Sequence, residues 1–190
     1  MTHSNRLIVG ICGASGVIYG IRLLQLLQPL PVETHLVMSG SAEITVAHET
    51  QWKLADIRAL ANRCYKPEDI GASISSGSFK TRGMVIAPCS VRSAAEIATG
   101  VTSTLLTRAA DVVLKERRRL VMMVRESPLH LGQLRTLVNL AEMGAIIAPP
   151  VPAFYAKPAN LDQMIDHTLG RVMDMFEIET GTVRRWKNEG

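Results

Sequence analysis

Short apolar runs alternate with stretches of helical periodicity along most of the 190-residue chain. Most consecutive runs are separated by about ten residues or more of helix, which is the length that a crossover between parallel strands needs. The alternation therefore predicts an α/β fold in which helices cover both faces of a mostly parallel sheet. The predicted strands are residues 6–12, 34–39, 83–88, 120–125 and 145–148, and the predicted helices are residues 17–27, 41–49, 54–63, 91–98, 103–117, 131–143 and 161–176.

The composition is that of one folded unit. Hydrophobic residues make up 47% of the chain and charged residues 20%, which excludes a disordered protein and is enough for one core. We expect a single domain over residues 1–190, with its core at about 6–176 and a tail at 177–190.

The first apolar run and the cysteines indicate a cytoplasmic protein. The run extends only from Leu7 to Gly13, which is too short for a membrane span and lacks the layout of a signal peptide. The three cysteines have no CxxC spacing, so we expect free thiols in a reducing compartment. The five histidines are scattered, and no metal site is expected.

Positive charge is concentrated in the middle of the chain. Residues 61–125 contain 11 of the 21 basic side chains and only 5 of the 17 acidic ones. Such a concentration indicates a local anionic ligand as readily as a nucleic acid. Aromatic residues make up only 4% of the chain, which argues against a protein that stacks on bases.

A glycine-rich turn, GICGASG at residues 10–16, follows the first predicted strand. Glycines allow the backbone to approach a phosphate, and the next helix offers free N–H groups at its N-terminus. The spacing is GxxGxxG instead of the GxGxxG of dinucleotide folds, and Met38-Ser39 stands where those folds place an acid. The turn favours a phosphate or a ribityl chain as ligand, with a plain tight turn as the alternative.

A second candidate anion site follows the central strand. Ser90, Arg92 and Ser93 open a predicted helix there, and hydroxyls and a cation at a helix N-terminus suit a phosphate. Cys89 precedes them as a candidate nucleophile, but no histidine stands at a recognisable partner spacing. A buried structural cysteine is therefore the favoured interpretation.

Charged side chains dominate the helix predicted at 103–117. Arg108, Asp111 and Lys115 are spaced i, i+3 and i+7, which places them on one helical face. Arg117–Arg119 follow, and we interpret them as a solvated cluster in preference to a nucleic-acid patch.

Candidate chemical groups also follow the last two strands. Arg125 and Glu126 end the strand at 120–125, where Glu126 could move a proton and Arg125 could hold negative charge; a surface ion pair is the alternative. Tyr155 follows a proline-stiffened loop. Arg171 lies on the last helix among apolar residues, where a surface cation that packs its stem is the alternative.

Several strings in the chain resemble those of the flavin prenyltransferases, the UbiX-type partners of UbiD-type decarboxylases. The resemblance extends over about residues 6–176, and LLTRAADVVLKERRRLV and PPVPAFY are its longest and most specific parts. The other matching strings are GASG, ETHLVMS, SSGSF, GMVIAPCS and VRESPLHLG.

The resemblance implies a single-domain, three-layer fold of Rossmann or flavodoxin type that assembles as a dodecamer. It also implies an enzyme that transfers a dimethylallyl group from dimethylallyl monophosphate to N5 and C6 of reduced flavin mononucleotide (FMN) without a metal ion. The product, prenylated FMN, would serve a UbiD-type decarboxylase.

The resemblance further implies roles for individual residues. Glu126, Glu49 and Ser15 would be catalytic. The residues implied to contact FMN are Gly13, Ala14, Ser15, Ser39, Ser90, Val91, Arg92, Ser93 and Arg125. The residues implied to bind dimethylallyl phosphate are Arg108, Lys115, Arg125, Tyr155, Arg171 and Trp186.

Three alternatives remain open at this point. A non-catalytic FMN carrier or assembly subunit would not need the second group of cations. A flavin-dependent decarboxylase that acts on cysteine peptides would need a histidine at a strand end and an asparagine motif after the central strand, where this chain has Cys89-Ser90. A nucleic-acid binder would need a recognisable reading motif.

Overall fold

The strands of this protein form one six-stranded parallel sheet. The structure, a computed structural model, describes residues 5–186, and the order of the strands across the sheet is β3-β2-β1-β4-β5-β6. All neighbouring strands pair in parallel, which confirms the predicted sheet. The strands are β1 (Arg6–Ile11), β2 (Glu33–Met38), β3 (Arg63–Tyr65), β4 (Gly83–Cys89), β5 (Arg119–Val124) and β6 (Ile146–Ile147).

Seven helices within residues 5–186 connect and cover the strands. They are α1 (Ile18–Leu27), α2 (Gly40–Glu49), α3 (Leu54–Ala59), α4 (Val91–Ala98), α5 (Leu105–Lys115), α6 (Leu131–Glu142) and α7 (Leu161–Asp174), with 3₁₀ turns at Ser73–Ser75 and Phe154–Ala156. None of these helices is long and apolar enough to cross a membrane.

Apolar side chains on both faces of the sheet bury it between two helical layers. Val9 and Ile11 of β1 face a cluster that includes residues of α1 and α7. Ile8 of β1 and Met84 of β4 face the opposite cluster, which includes residues of α4, α5 and α6. The apolar runs read from the sequence are therefore strands buried on both faces, as expected for a parallel sheet.

Polar side chains at the helix N-caps fix where two helices start. Ser39 Oγ accepts from the Ala42 N–H at 3.2 Å and begins α2, and Ser90 Oγ accepts from the Ser93 N–H at 3.2 Å and begins α4. Both caps lie directly after strands, so the caps also bring serine hydroxyls to the carboxyl edge of the sheet.

The helix predicted at residues 54–63 is wrong in its second half. It ends at Ala59, and the chain continues into the edge strand β3. Asn62 causes the change, because its Oδ1 accepts from the Thr34 N–H at 2.8 Å and ties the chain to β2. Long-range bonds of this kind override local helix propensity. The other predicted boundaries lie within two residues of the observed ones.

Gly20 allows α1 to pack directly on the sheet. A Cβ there would overlap the Ala87 carbonyl oxygen and lie 2.7 Å from Ile11 Cγ1. We predict that Gly20→Ala lowers the free energy of unfolding by about 1 to 2 kcal/mol, because the steric cost exceeds the gain in helix propensity. Urea unfolding measures the change. Gly40→Ala is the matched control, since an added Cβ there would meet open space among the residues that the structure describes; equal losses in both variants would contradict the packing argument.

Candidate functional site

Four chain segments meet where β1, β2, β4 and β5 end. The Cys12 N–H donates to Pro88 O at 3.1 Å, the Ser39 N–H to Ile11 O at 3.0 Å, and the Arg125 N–H to Cys89 O at 3.0 Å. These bonds hold the loops after β1, β2, β4 and β5 side by side. We call the resulting region the crevice, formed by residues 12–17, Ser39, Glu49, residues 89–93 and residues 125–126. It lies where the strand order reverses, the usual ligand position in such sheets.

Gly13 allows the first loop of the crevice to pack tightly on α2. A Cβ at Gly13 would lie 2.6 Å from the Cβ of Ser41, so no larger residue fits without movement. Thr45 Oγ1 donates to Gly13 O at 3.2 Å and holds the loop in place. The glycine-rich turn is therefore more than a plain tight turn, because its shape depends on α2.

Glu49 binds backbone N–H groups before α1 that were expected from the sequence to be available to a ligand. Its Oε2 accepts from Gly16 N at 2.8 Å and from Val17 N at 3.2 Å. The expectation that these N–H groups at the start of α1 are available to an anion is wrong. Burial raises the pKa of Glu49, but hydrogen bonds from Ser15, Gly16 and Val17, together with the charge of Arg125, hold that pKa below its ordinary value.

A network of thiols and hydroxyls lies at the base of the crevice. Cys12 Sγ and Ser93 Oγ are 3.2 Å apart, and Ser90 Oγ donates to Ser93 Oγ at 3.1 Å. The hydrogen bond from Cys89, and those from Ser93 and Ser90, lower the pKa of Cys12 to about 7 against the effect of burial. The same bond to Cys12, together with burial, raises the pKa of Cys89 well above its usual value. Cys89 is therefore a buried, protonated thiol.

Arg125 and Glu126 present charge on the rim of the crevice. Both side chains are exposed, and Glu126 Oε1 accepts from the Ser127 N–H at 3.0 Å. Neither has an ion-pair partner within residues 5–186, so the alternative of a surface ion pair between them is wrong. A cation and a carboxylate are thus both available to a ligand at this position.

Arg92 points away from the other crevice residues. Its side chain is 85% exposed, and its Nε donates to Glu96 Oε1 at 3.0 Å. The backbone of α4, together with Ser90 and Ser93, remains at the crevice.

Arg108 and Lys115 lie on the outer face of α5, and the structure does not bring Lys115 to the crevice. Arg108 pairs with Asp111 at 2.7 Å, and Lys115 pairs with Glu116. Lys115 ends the helix just before β5 begins, whereas Arg125 follows the end of β5. The six residues of β5 separate these positions by about 20 Å. Lys115 and Arg125 of one chain therefore cannot bind the same phosphate.

Tyr155, Arg171 and Trp186 belong to a further group, which we call the α7 patch. The ring of Tyr155 makes edge contacts with His167 at 5.6 Å and with Trp186 at 5.3 Å between centroids. Arg171 pairs with Asp174 at 2.5 Å. Within the part of the chain that the structure describes, no hydrogen bond, ion pair or ring contact joins this patch to the crevice.

Comparison with known proteins identifies the family. The Flavoprotein family model matches residues 1–187. The flavin prenyltransferase UbiX of Escherichia coli (strain K12) is 58% identical over 174 residues, covering 91% of this chain and 92% of the relative. That of Thauera aromatica is 50% identical over 181 residues, covering 95% and 93%. This chain belongs to the UbiX flavin prenyltransferase family.

Solved structures of UbiX proteins have the same fold. AnUbiX (PadA1), solved in complex with FMN and dimethylallyl pyrophosphate, superimposes with a TM-score of 0.95 at 44% identity and covers 97% of this chain and 98% of its own. A dodecameric FMN-dependent UbiX-like decarboxylase from Escherichia coli O157:H7 superimposes with a TM-score of 0.94 at 46% identity, covering 96% and 100%. These matches confirm the predicted family and fold class.

Sequence reasoning missed two residues that support the crevice and the α7 patch. Thr45, whose hydroxyl holds Gly13 O, is spaced i, i+4 from Ser41 on α2, and this spacing was a usable signal. Arg185, which pairs with Asp174 at 2.7 Å beside Arg171, had no such signal because it follows in the tail.

Glu49 makes the stability of the crevice dependent on pH. Its folded-state pKa is lowered, so its contribution is fully present above the unfolded-state pKa and is lost as the pH falls through the folded-state value. We predict that Glu49→Gln lowers the free energy of unfolding at pH 7 by about 1 kcal/mol, a value reduced for exposure. Urea unfolding from pH 7 to 3 should show this difference from the wild type disappear at the acid end.

The control for this variant is Glu142→Gln, an exposed position on α6. It should leave stability nearly unchanged at every pH. A Glu49→Gln deficit that persists undiminished at pH 3 would show that the carboxylate charge is not the cause.

Proposed function

We propose that this chain is a flavin prenyltransferase that transfers a dimethylallyl group from dimethylallyl monophosphate to N5 and C6 of reduced FMN. The product would be prenylated FMN, supplied to a UbiD-type decarboxylase. The observation that carries the proposal is the superposition, over 97% of this chain, on a relative solved with both FMN and dimethylallyl pyrophosphate. We also propose a cytoplasmic location, in keeping with the three free cysteines.

The crevice has the shape and polarity that FMN needs. Gly13, Ala14 and Ser15 would approach the flavin through a loop without bulky side chains, which α2 holds at Gly13 and Glu49 holds at Gly16. Ser39, Ser90 and Ser93 would offer hydroxyls and helix N-termini to the ribityl phosphate, together with the backbone of Val91 and Arg92. FMN would supply the nucleophilic ring that accepts the dimethylallyl group.

Arg125 is a cation of the crevice that forms no ion pair within the described part of the chain. Next to FMN it would neutralise the charge on the departing phosphate, which favours loss of an allylic phosphate without a metal ion. The neighbouring Glu126 would hold or move a proton at this position, and Glu49 would position Ser15 and the loop.

We propose that copies of the chain share the prenyl phosphate site. Lys115 at the end of α5 lies away from the crevice of its own chain, and no hydrogen bond, ion pair or ring contact joins Arg108 or the α7 patch (Tyr155, Arg171 and Trp186) to that crevice within residues 5–186. The family includes a dodecameric structure, and a symmetric assembly can bring different surfaces of copies together. These groups would then contribute to the crevice of a neighbouring copy.

A non-catalytic FMN carrier is the weaker alternative. A carrier would need the crevice hydroxyls but not an unpaired arginine and carboxylate side by side. Arg125 and Glu126 therefore favour the enzyme.

Anaerobic incubation with reduced FMN and dimethylallyl monophosphate tests the activity. We expect mass spectrometry of the bound flavin to show the addition of one five-carbon unit. Glu126→Gln should keep FMN bound but slow the reaction by about 100-fold, the range of a lost general acid or base, whereas Glu142→Gln should react normally. Flavin bound without any mass gain in the wild type would favour the carrier.

Co-expression of two impaired variants tests the shared site. Lys115→Ala and Glu126→Gln should each be slow alone. If Lys115 and Glu126 of one site come from different copies, random assembly of the two variants gives both wild-type groups to about a quarter of the sites. Activity should then recover to about a quarter of the wild-type value. The hybrid would show no recovery if each site used both groups from one chain.

A further inference from the structure

A second polar cavity lies at the opposite edge of the sheet from the crevice. It has a volume of about 450 Å³, within the range of small-molecule sites. Thr81 and Arg82, which precede β4, line one side, and Arg117 and Arg119, where α5 turns into β5, line another. Phe176 and Glu177, which follow α7, complete the wall. We call it the arginine cavity; the flavin crevice does not include any of these residues.

Two of its arginines have their charge available. Arg117 and Arg119 are exposed and have no ion-pair partner within residues 5–186. Arg119 lies over the ring of Phe176 at 5.9 Å, which leaves the edge of its guanidinium free to donate. Arg118, which lies between them in the sequence, is not available to a ligand in the same way, since its guanidinium donates to Phe79 O at 2.7 Å and to Gly77 O at 2.6 Å.

Buried polar atoms at the base of the cavity lack partners. Thr81 is only 8% exposed, and its Oγ1 has no hydrogen bond within the described chain. Arg82 donates through its terminal nitrogens to Phe176 O at 2.8 Å and to Asn5 Oδ1 at 3.3 Å, but its buried Nε has no partner there. Buried polar groups are nearly always paired, so a hydroxyl and an N–H at this position point to a ligand.

The backbone around the cavity is held in costly conformations. Arg117 has φ of 53° and Glu177 has φ of 56°, and these are two of only three non-glycine residues with positive φ within residues 5–186. Such conformations cost about 1 to 3 kcal/mol each and are concentrated at functional sites. Gly83, with φ of 142°, permits the close approach of the Arg119 carbonyl. The fold therefore keeps two strained backbone conformations beside the cavity that packing alone would not favour.

We propose that the arginine cavity binds a small phosphomonoester. Arg117 and Arg119 would hold the phosphate, because guanidinium groups match its oxygens in paired hydrogen bonds. Thr81 Oγ1 and Arg82 Nε, which solvent does not reach in this structure, would supply the remaining donors after a small shift of the cavity lining. The ring of Phe176 would face the organic part of the ligand, and Glu177 would accept from its hydroxyl groups. A cavity of about 450 Å³ with a carboxylate in its wall fits a single phosphate group with a small organic part better than the extended backbone of a nucleic acid.

Isothermal titration with glycerol 3-phosphate, on protein saturated with FMN and at constant ionic strength, tests the proposal. We expect one saturable site for each chain that Arg125→Gln leaves intact, separate from any binding at the prenyl phosphate site of the crevice. Arg117→Gln and Arg119→Gln should each weaken binding about tenfold, the effect of losing charge-assisted bonds. Thr81→Val, which keeps the shape of the side chain, should weaken binding about fivefold and leave the melting temperature equal or higher, because it removes an unpaired buried hydroxyl.

Two controls locate the site. Arg135→Gln, an exposed arginine on α6, should bind normally. Arg125→Gln alters the crevice and should also leave this binding unchanged, whether or not the chain proves to be a prenyltransferase. The proposal is overturned if the wild type shows no saturable binding, if Arg125→Gln alone abolishes it, or if Arg135→Gln weakens it as much as Arg119→Gln. Binding of a DNA duplex but not of glycerol 3-phosphate would also overturn it.

Discussion

The pairing of β1 with β4 is the contact on which the rest of the structure depends. These two strands lie at the centre of the sheet, and the chain leaves them toward opposite faces. Gly20 brings α1 against β4, and the bond from the Cys12 N–H to Pro88 O aligns the two strand ends. The loops after β2 and β5 are tied to these two strand ends by the Ser39 N–H to Ile11 O and the Arg125 N–H to Cys89 O bonds.

One charged group of the crevice, Glu49, stabilises the fold, whereas another, Arg125, is available to a ligand. Glu49 uses its carboxylate to hold the start of α1, and this removes the N–H groups of Gly16 and Val17 from any role with an anion. Arg125 forms no ion pair within residues 5–186 and lies on the rim. In the proposed FMN site, anion binding would therefore depend on one arginine and on the hydroxyls that cap α2 and α4, and not on the helix that follows the glycine-rich turn.

The other cations lie at both edges of the sheet because strands and covering helices run in opposite directions. Each strand leads to the carboxyl edge of the sheet and each covering helix returns to the opposite edge. Residues at the end of α5 therefore lie about one strand length from those at the end of β5. This topology accounts both for the separation of Lys115 from Arg125 and for the collection of Arg82, Arg117 and Arg119 in one cavity.

The sequence by itself determined the parallel sheet, most helix boundaries and the family, because apolar periodicity and long motifs are local properties. It also placed Ser39, Ser90 and Arg125 at one edge, since strand ends share an edge. Only the tertiary structure decided that Asn62 turns a helix into β3, that Glu49 occupies the N–H groups of α1, and that Lys115 lies far from Arg125. Each of these depends on contacts between residues distant in the chain, which local patterns do not encode.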